Sequence, residues 1–144
     1  MRITSLLQVK GSFVASIGEG STVAEVLAGL AQHAVGALVV TDEGGRLVGI
    51  VSERDIVRAL HARGASVLGD DVGQVMTAEV RTCAPTDSVD TLMGLMTERR
   101  IRHVPILEAG ELVGIVSIGD VVKSRIGELE SENSAIIEYI QTGR

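Results

Sequence analysis

Two short segments of this chain place a hydroxyl and a carboxylate three residues apart: Ser52-Glu53-Arg54-Asp55 and Ser117-Ile118-Gly119-Asp120. Each ends an apolar stretch and opens a stretch of helical character. That spacing supports two chemistries. In a capping box, the Ser side chain accepts from a first-turn N–H and the acid reaches back to the Ser backbone. In a ligand site, the free N–H groups of the helix start favour an anion. The carboxylate can then accept both hydroxyls of a ribose. Spacing alone favours capping and leaves the second reading open.

The two segments belong to a longer repeat, which is the architecture to settle first. Leu47-Val48-Gly49-Ile50-Val51-Ser52 returns letter for letter as Leu112 to Ser117, at an offset of 65. Upstream, Ser21 to Leu27 matches Asp87 to Met93 with one residue of slip. Each half reads alike. Ser21 or Thr22 caps a helix to about Ala34, with Val23, Val26, Leu27 and Leu30 on one face. A strand follows at Ala37–Thr41, a turn at Asp42-Glu43-Gly44-Gly45, a strand at Leu47–Val51 and a helix from Glu53 to His61. The second half gives a helix over Ser88–Arg100, strands His103–Leu107 and Glu111–Val116, a turn at Ala109-Gly110 and a helix from Ile118. Phe13–Ile17 and Val80–Cys83 read as an extra strand in each half. The expected division is a first unit over 1–62 with its N-terminal segment, a linker over 63–74, a second unit over 75–128 and a helical tail over 129–144. Each half is too small to bury its own apolar sheet face, so the pair is the folding unit. In the tail, Leu129, Glu132, Ile136 and Ile140 share a stripe beside Ile137. It either packs on its own unit or contacts a second copy.

Composition narrows the function classes. Of 144 residues, 45% are hydrophobic, yet Phe13 and Tyr139 are the only aromatics, so Ala, Val, Ile and Leu build the core. A net charge of −6 gives no general attraction to phosphate backbones and argues against nucleic acid. The lone Cys83 cannot form an internal disulfide, and a reducing, cytoplasmic setting is expected. As a thiol it reads as a small buried hydrophobe rather than a redox group. His33, His61 and His103 lack metal-ligand spacing. No apolar run reaches membrane-spanning length, and the start lacks the apolar core of a signal peptide.

Strand–helix–strand–strand–helix, written twice with Gly-hydrophobic-Val-Ser-x-x-Asp at each second strand end, resembles the CBS domain family over nearly the whole chain. It is similar in particular to the stand-alone two-CBS proteins of bacteria and plant organelles. The residues concerned are Lys10-Gly11, Ser52 to Asp55, Arg100-Ile101-Arg102-His103-Val104-Pro105, Val116 to Asp120 and the ending Tyr139-Ile140-Gln141. The resemblance implies an α/β (α+β) fold of tandem CBS domains, each a small sheet with two helices, packed about a pseudo-twofold axis. Such a pair, a Bateman module, has two clefts for adenosine-containing ligands and frequently forms a disc-shaped homodimer.

The resemblance assigns Asp55 and Asp120 to ribose, and Ser52 and Ser117 to ribose or phosphate. Cations are divided unequally between the repeats. Lys10 and Arg54 in the first face Met76 and Gly119 as counterparts; Arg102 and His103 in the second face Gly36 and Ala37. These four cationic groups are the phosphate candidates, and twofold symmetry would bring them to one zone. The rival reading is a solvated helix face for Arg54, Arg99 and Arg100, and a structural role for His103. With so few aromatics, a base must be held by aliphatic side chains and main-chain bonds. The candidates are Thr82, Ala84, Pro85, Ile101, Val104 and Pro105, with Ile17, Gly36, Ala37 and Leu38 as first-repeat equivalents. Arg102, His103 and Pro105 make the Asp120 cleft the expected better site.

The expected function is a regulatory module that binds AMP, ADP or ATP, senses energy or redox state and passes the signal to a partner outside this chain. NAD(H) and S-adenosylmethionine are alternative ligands, and a ligand-free dimeric scaffold is the alternative role. No constellation of activated groups points to an enzyme, and no metal is implied.

Overall fold

A computed structural model describes residues 1–142. In chain order the elements are α1 (Ile3–Lys10), β1 (Ser16–Gly18), α2 (Val23–His33), β2 (Ala37–Thr41), β3 (Leu47–Ser52) and α3 (Glu53–Arg63). Two 3-10 turns follow, Ala65–Gly69 and Val72–Gln74. Then come α4 (Val89–Arg99), β4 (His103–Glu108), β5 (Glu111–Ser117) and α5 (Ile118–Thr142).

Local chemistry explains the boundaries. Thr22 caps α2: its hydroxyl accepts from the Glu25 N–H, and the Glu25 side chain accepts from the Thr22 N–H. Val23, Val26 and Leu30 then fall on one buried face. The Asp42 carboxylate accepts from the Gly44 and Arg46 N–H groups, closing the hairpin between β2 and β3 with Gly45 at φ +80°. β1 pairs parallel with β2, and β2 antiparallel with β3. β4 and β5 repeat the hairpin, including its register shift: Val40/Thr41 in the first repeat, Ile106/Leu107 in the second.

The strand expected at Val80–Cys83 does not form. It is reduced to one parallel bridge, Cys83 to Ile106, which corresponds to the Ile17–Val40 pairing of the first repeat. Pro105 supplies the reason. Its counterpart Val39 donates its N–H to the Ala15 carbonyl, and proline has no N–H to give. The first-repeat strand is also shorter than Phe13–Ile17: it covers Ser16–Gly18, and Phe13 is exposed, its ring against His33.

The segments preceding the two repeats cross over. The N-terminal segment, expected with the first repeat, packs into the second. Ile3 and Leu6 of α1 lie in one core with Leu92, Val104, Ile106 and Val116. The Ile3 N–H donates to the Asp87 carbonyl, and the Val89 N–H to the Met1 carbonyl. The segment before the second repeat does the reverse: the Val72 N–H donates to Ser21 and the Val23 N–H to Asp70. The stretch expected as a polar linker therefore closes the first core, with Val67 and Val72 fully buried. Two glycines at the same strand position receive these arms: Leu7 covers Gly114 and Met76 covers Gly49. No break separates the tail, since α5 is one helix from Ile118 to Thr142. Cys83 is buried in the second core; burial and then the nearby Asp87 charge push its thiol pKa up.

Candidate functional site

Both capping boxes form. The Ser52 hydroxyl accepts from the Asp55 N–H at 3.3 Å, while Asp55 Oδ2 accepts from the Ser52 N–H at 2.9 Å. In the second repeat, Ser117 Oγ accepts from the Asp120 N–H at 3.1 Å and Asp120 Oδ2 accepts from the Ser117 N–H at 2.8 Å. The helix starts are further fixed by the preceding loops. The Glu53 N–H donates to the Gly36 carbonyl and the Ile118 N–H to the Arg102 carbonyl. Gly36 and Arg102 are counterparts, so the two helix N-termini are built identically and differ only in side chains.

A cavity of about 510 Å³ lies between the repeats and receives both helix starts. Ser52, Arg54, Asp55, Gly36 and Ala37 line it from the first repeat. Ile101, Arg102, His103 and Ser117 line it from the second. Of the four expected cationic groups, Arg54, Arg102 and His103 thus border one zone. Arg99 and Arg100, for which a solvated helix face was the rival reading, also border the cavity. Arg100 reaches it from a left-handed helix end, at φ 54°. Arg58 and Arg81 join them and were missed in the sequence. Arg58 lies one helical turn beyond Arg54, a spacing that could have revealed it. Six arginines face three carboxylates, Glu53, Asp55 and Glu79, in a chain whose net charge is −6. The cavity therefore has the opposite sign to the molecule around it.

Lys10 and Asp120 are placed elsewhere. Neither lines the cavity. Lys10 Nζ sits 2.5 Å from Asp120 Oδ2 and also donates to the Ile115 carbonyl. The phosphate candidate of the first repeat is thus the counter-ion of the ribose candidate of the second. The cause is the crossing of α1. Burial pushes the Asp120 carboxyl up, but the Lys10 and Ser117 hydrogen bonds outweigh it and hold its pKa below the usual range. Asp55 has no cation bound to it: its hydrogen bonds among the described residues come from Ser52 and fall on Oδ2. Asp55 borders the cavity and Asp120 does not, although the expectation favoured the Asp120 cleft; Ser117, Ile118 and Gly119 beside Asp120 do border it.

His103 packs against Gly36; a Cβ added there would stand 3.3 Å from the imidazole. The missing side chain at 36 makes room for the ring. Burial, then the Lys10 charge, lowers the His103 pKa, with Asp120 and Glu53 opposing. Of the base-pocket candidates, Gly36, Ala37 and Ile101 line the cavity, joined by Ile50, Val80 and Ile118. The others do not. Leu38 and Val104 are core residues, and Pro105 is buried beside Val104. Ile17 packs on the first core. Ala84 and Pro85 are tied up locally, Ala84 donating its N–H to Asp87 and Pro85 accepting from Thr4. Thr82 lines a different hollow, about 980 Å³, near the two hairpin turns. Alternation along β2 separates Ala37, which lines the cavity, from Leu38, which enters the core.

Chemically, the cavity offers arginines and two helix starts for an anion, one carboxylate for hydroxyls and an aliphatic wall. Among the described residues, no group of three or more His, Cys, Asp or Glu is placed to hold a metal ion. No helix among them is long and apolar enough to cross a membrane.

A CBS domain family model matches residues 12–62 and 72–127. Over 126 residues the chain is 40% identical to the CBS domain-containing protein CBSX3, mitochondrial, of Arabidopsis thaliana, covering 85% of this chain and 61% of that protein. The chain thus spans less than two thirds of that relative's length. The crystal structure of a CBS-domain containing protein from Agrobacterium tumefaciens matches with a TM-score of 0.85 and 43% identity, over 87% of this chain and 99% of that one. A CBS domain protein from Pyrobaculum aerophilum, solved in complex with AMP, matches with a TM-score of 0.75 and 35% identity, over 83% and 89% of the two chains.

Proposed function

This chain belongs to the CBS domain family, and on that premise we propose that it is a regulatory module whose central cavity binds an adenine nucleotide, AMP before ADP or ATP. One observation carries the reading: arginines from both repeats and two helix N-termini converge on one cavity, in a chain that is otherwise acidic. The phosphate sits among these arginines, which present planar forks of donors suited to its oxygens. Asp55 accepts the ribose hydroxyls. Ile101, Val80 and Ala37 hold the base. A cavity of about 510 Å³ is within the usual range for a small-molecule site. The AMP complex of the Pyrobaculum relative supports this ligand class.

Binding bridges residues of both repeats, so it favours the arrangement of the repeats that the ligand fits best. That shift is the signal, and a protein outside this chain reads it. The working location is a reducing compartment such as the cytoplasm, in keeping with the buried thiol of Cys83.

Isothermal titration of AMP, ADP and ATP into the wild type and Asp55→Ala tests the reading. Loss of a hydrogen bond to a charged group weakens binding by about 10- to 100-fold. Absence of binding by all three nucleotides at millimolar concentration would sink the proposal.

A further inference from the structure

We propose that the distal half of α5 is an interface with a second copy of this chain, forming a parallel two-stranded coiled coil in register about Asn133. Val122, Ile126, Leu129, Asn133, Ile136 and Ile140 recur at alternating spacings of four and three. These are the a and d positions of a heptad. All but Asn133 are large apolar residues, and they are 50%, 52%, 64%, 59% and 70% exposed in chain order. The helix leaves its own module early. Val121 is its buried residue, Ser124 bonds to Met1, and Arg125 pairs with Asp90 and Glu128. From Leu129 to Thr142 every residue is exposed. A helical extension of this length is marginal in water without a partner for its apolar face.

The chemistry selects a second copy in parallel. An acidic stretch with Glu128, Glu130, Glu132 and Glu138 is repelled by an anionic membrane surface. In a parallel pair, Asn133 faces its own copy at an a position and the two amides hydrogen-bond. An antiparallel pair would set Asn133 against an aliphatic d residue and leave its amide unsatisfied. A single a-position Asn specifies register and the two-stranded state.

Analytical ultracentrifugation of the full chain at micromolar concentration tests this. The wild type is expected to sediment as two 15.1 kDa copies, and a chain with both Leu129→Glu and Ile136→Glu as one. AMP binding by that variant should match the wild type's, so this inference and the nucleotide reading fail separately. Mild oxidation of Leu129→Cys should give a covalent dimer on a non-reducing gel, because d positions face each other only in parallel register. Wild type with its buried Cys83 should not crosslink. A monomeric wild type, a doubly substituted chain that keeps the dimer mass, or a Leu129→Cys chain that stays uncrosslinked would each overturn the proposal.

Discussion

Lys10 Nζ and Asp120 Oδ2 stand 2.5 Å apart, so the residue that opens the first repeat neutralises the acid that opens the last helix. The pair is about three-quarters buried on each side, with side-chain exposures of 26% and 24%. It fastens α1 to the second repeat. Lys10→Ala should destabilise the protein by about 1 kcal/mol at neutral pH. The sign with pH follows from the depressed Asp120 pKa. The pair's stabilisation is complete above the unfolded carboxyl pKa of about 3.9, and it is lost as pH falls through the folded value. Urea titrations at pH 7 and pH 3 should therefore show the variant's deficit shrinking in acid. AMP affinity should be unchanged, because Lys10 lies outside the cavity. A loss of affinity would restore the phosphate role its sequence position suggested.

His103 lines the cavity from the second repeat. Burial and the Lys10 charge lower its pKa, so the unfolded chain takes up the proton first. Stability should decline as pH falls from about 6.5 towards the folded value. A nucleotide phosphate placed beside the ring reverses the electrostatics and raises that pKa. AMP binding near pH 6 should then draw protons to the ring, set against those that the phosphate, with a second pKa of about 6, gives up among the arginines. Titration calorimetry in buffers of different ionisation enthalpy measures the net exchange, and His103→Gln should take up fewer protons, or release more, than the wild type.

Gly114 and Gly49 test the crossed arms. An added Cβ would stand 2.8 Å from Leu7 Cδ2 at Gly114 and 2.5 Å from Met76 Sδ at Gly49. Overpacking of this kind typically costs about 1–3 kcal/mol. Gly114→Ala should displace α1 from the second repeat, so protease should cut beside Lys10 sooner than in the wild type. Gly49→Ala presses on an adaptable thioether and should leave the N-terminal segment protected. Equal protease sensitivity in the two variants would contradict the crossing.

Much of this was legible in the residues. The repeat fixed the two hairpins, and Ser-x-x-Asp fixed two helix starts as capping boxes. The shared arginine zone followed from the unequal division of Arg54 and Arg102. The crossing was not legible. Ile3 and Leu6 advertise an apolar face but not which repeat buries it, because sequence order assigns a segment to its neighbour. The pairing of Lys10 with Asp120 was hidden for the same reason. Val67 and Val72 were hidden among Gly and Asp, whose turn chemistry masks two short buried contacts. Pro105 was noticed as a shaper of the cleft; its larger effect is the ladder bond that it denies to the Val80–Cys83 stretch.

Arg100 combines backbone strain with a charge the cavity uses. It ends α4 in the left-handed region, at φ 54°, where glycine is the usual residue. Its repeat counterpart Ala34 does the same at φ 52°, so the conformation belongs to the fold and not to the arginine. A non-glycine residue there costs roughly 1–2 kcal/mol, and glycine's greater unfolded freedom returns about half of that. Arg100→Gly should therefore be as stable as the wild type or up to about 1 kcal/mol more so. Nucleotide binding should move the opposite way. Removing one of six arginines should weaken AMP severalfold at low salt and less at high salt, because ions screen an exposed charge. Thermal melts and calorimetry on one variant read both effects. Ala34→Gly is the control, expected to share the stability gain and keep the wild-type affinity. If Arg100→Gly melts lower than the wild type, Arg100 holds the fold rather than the ligand.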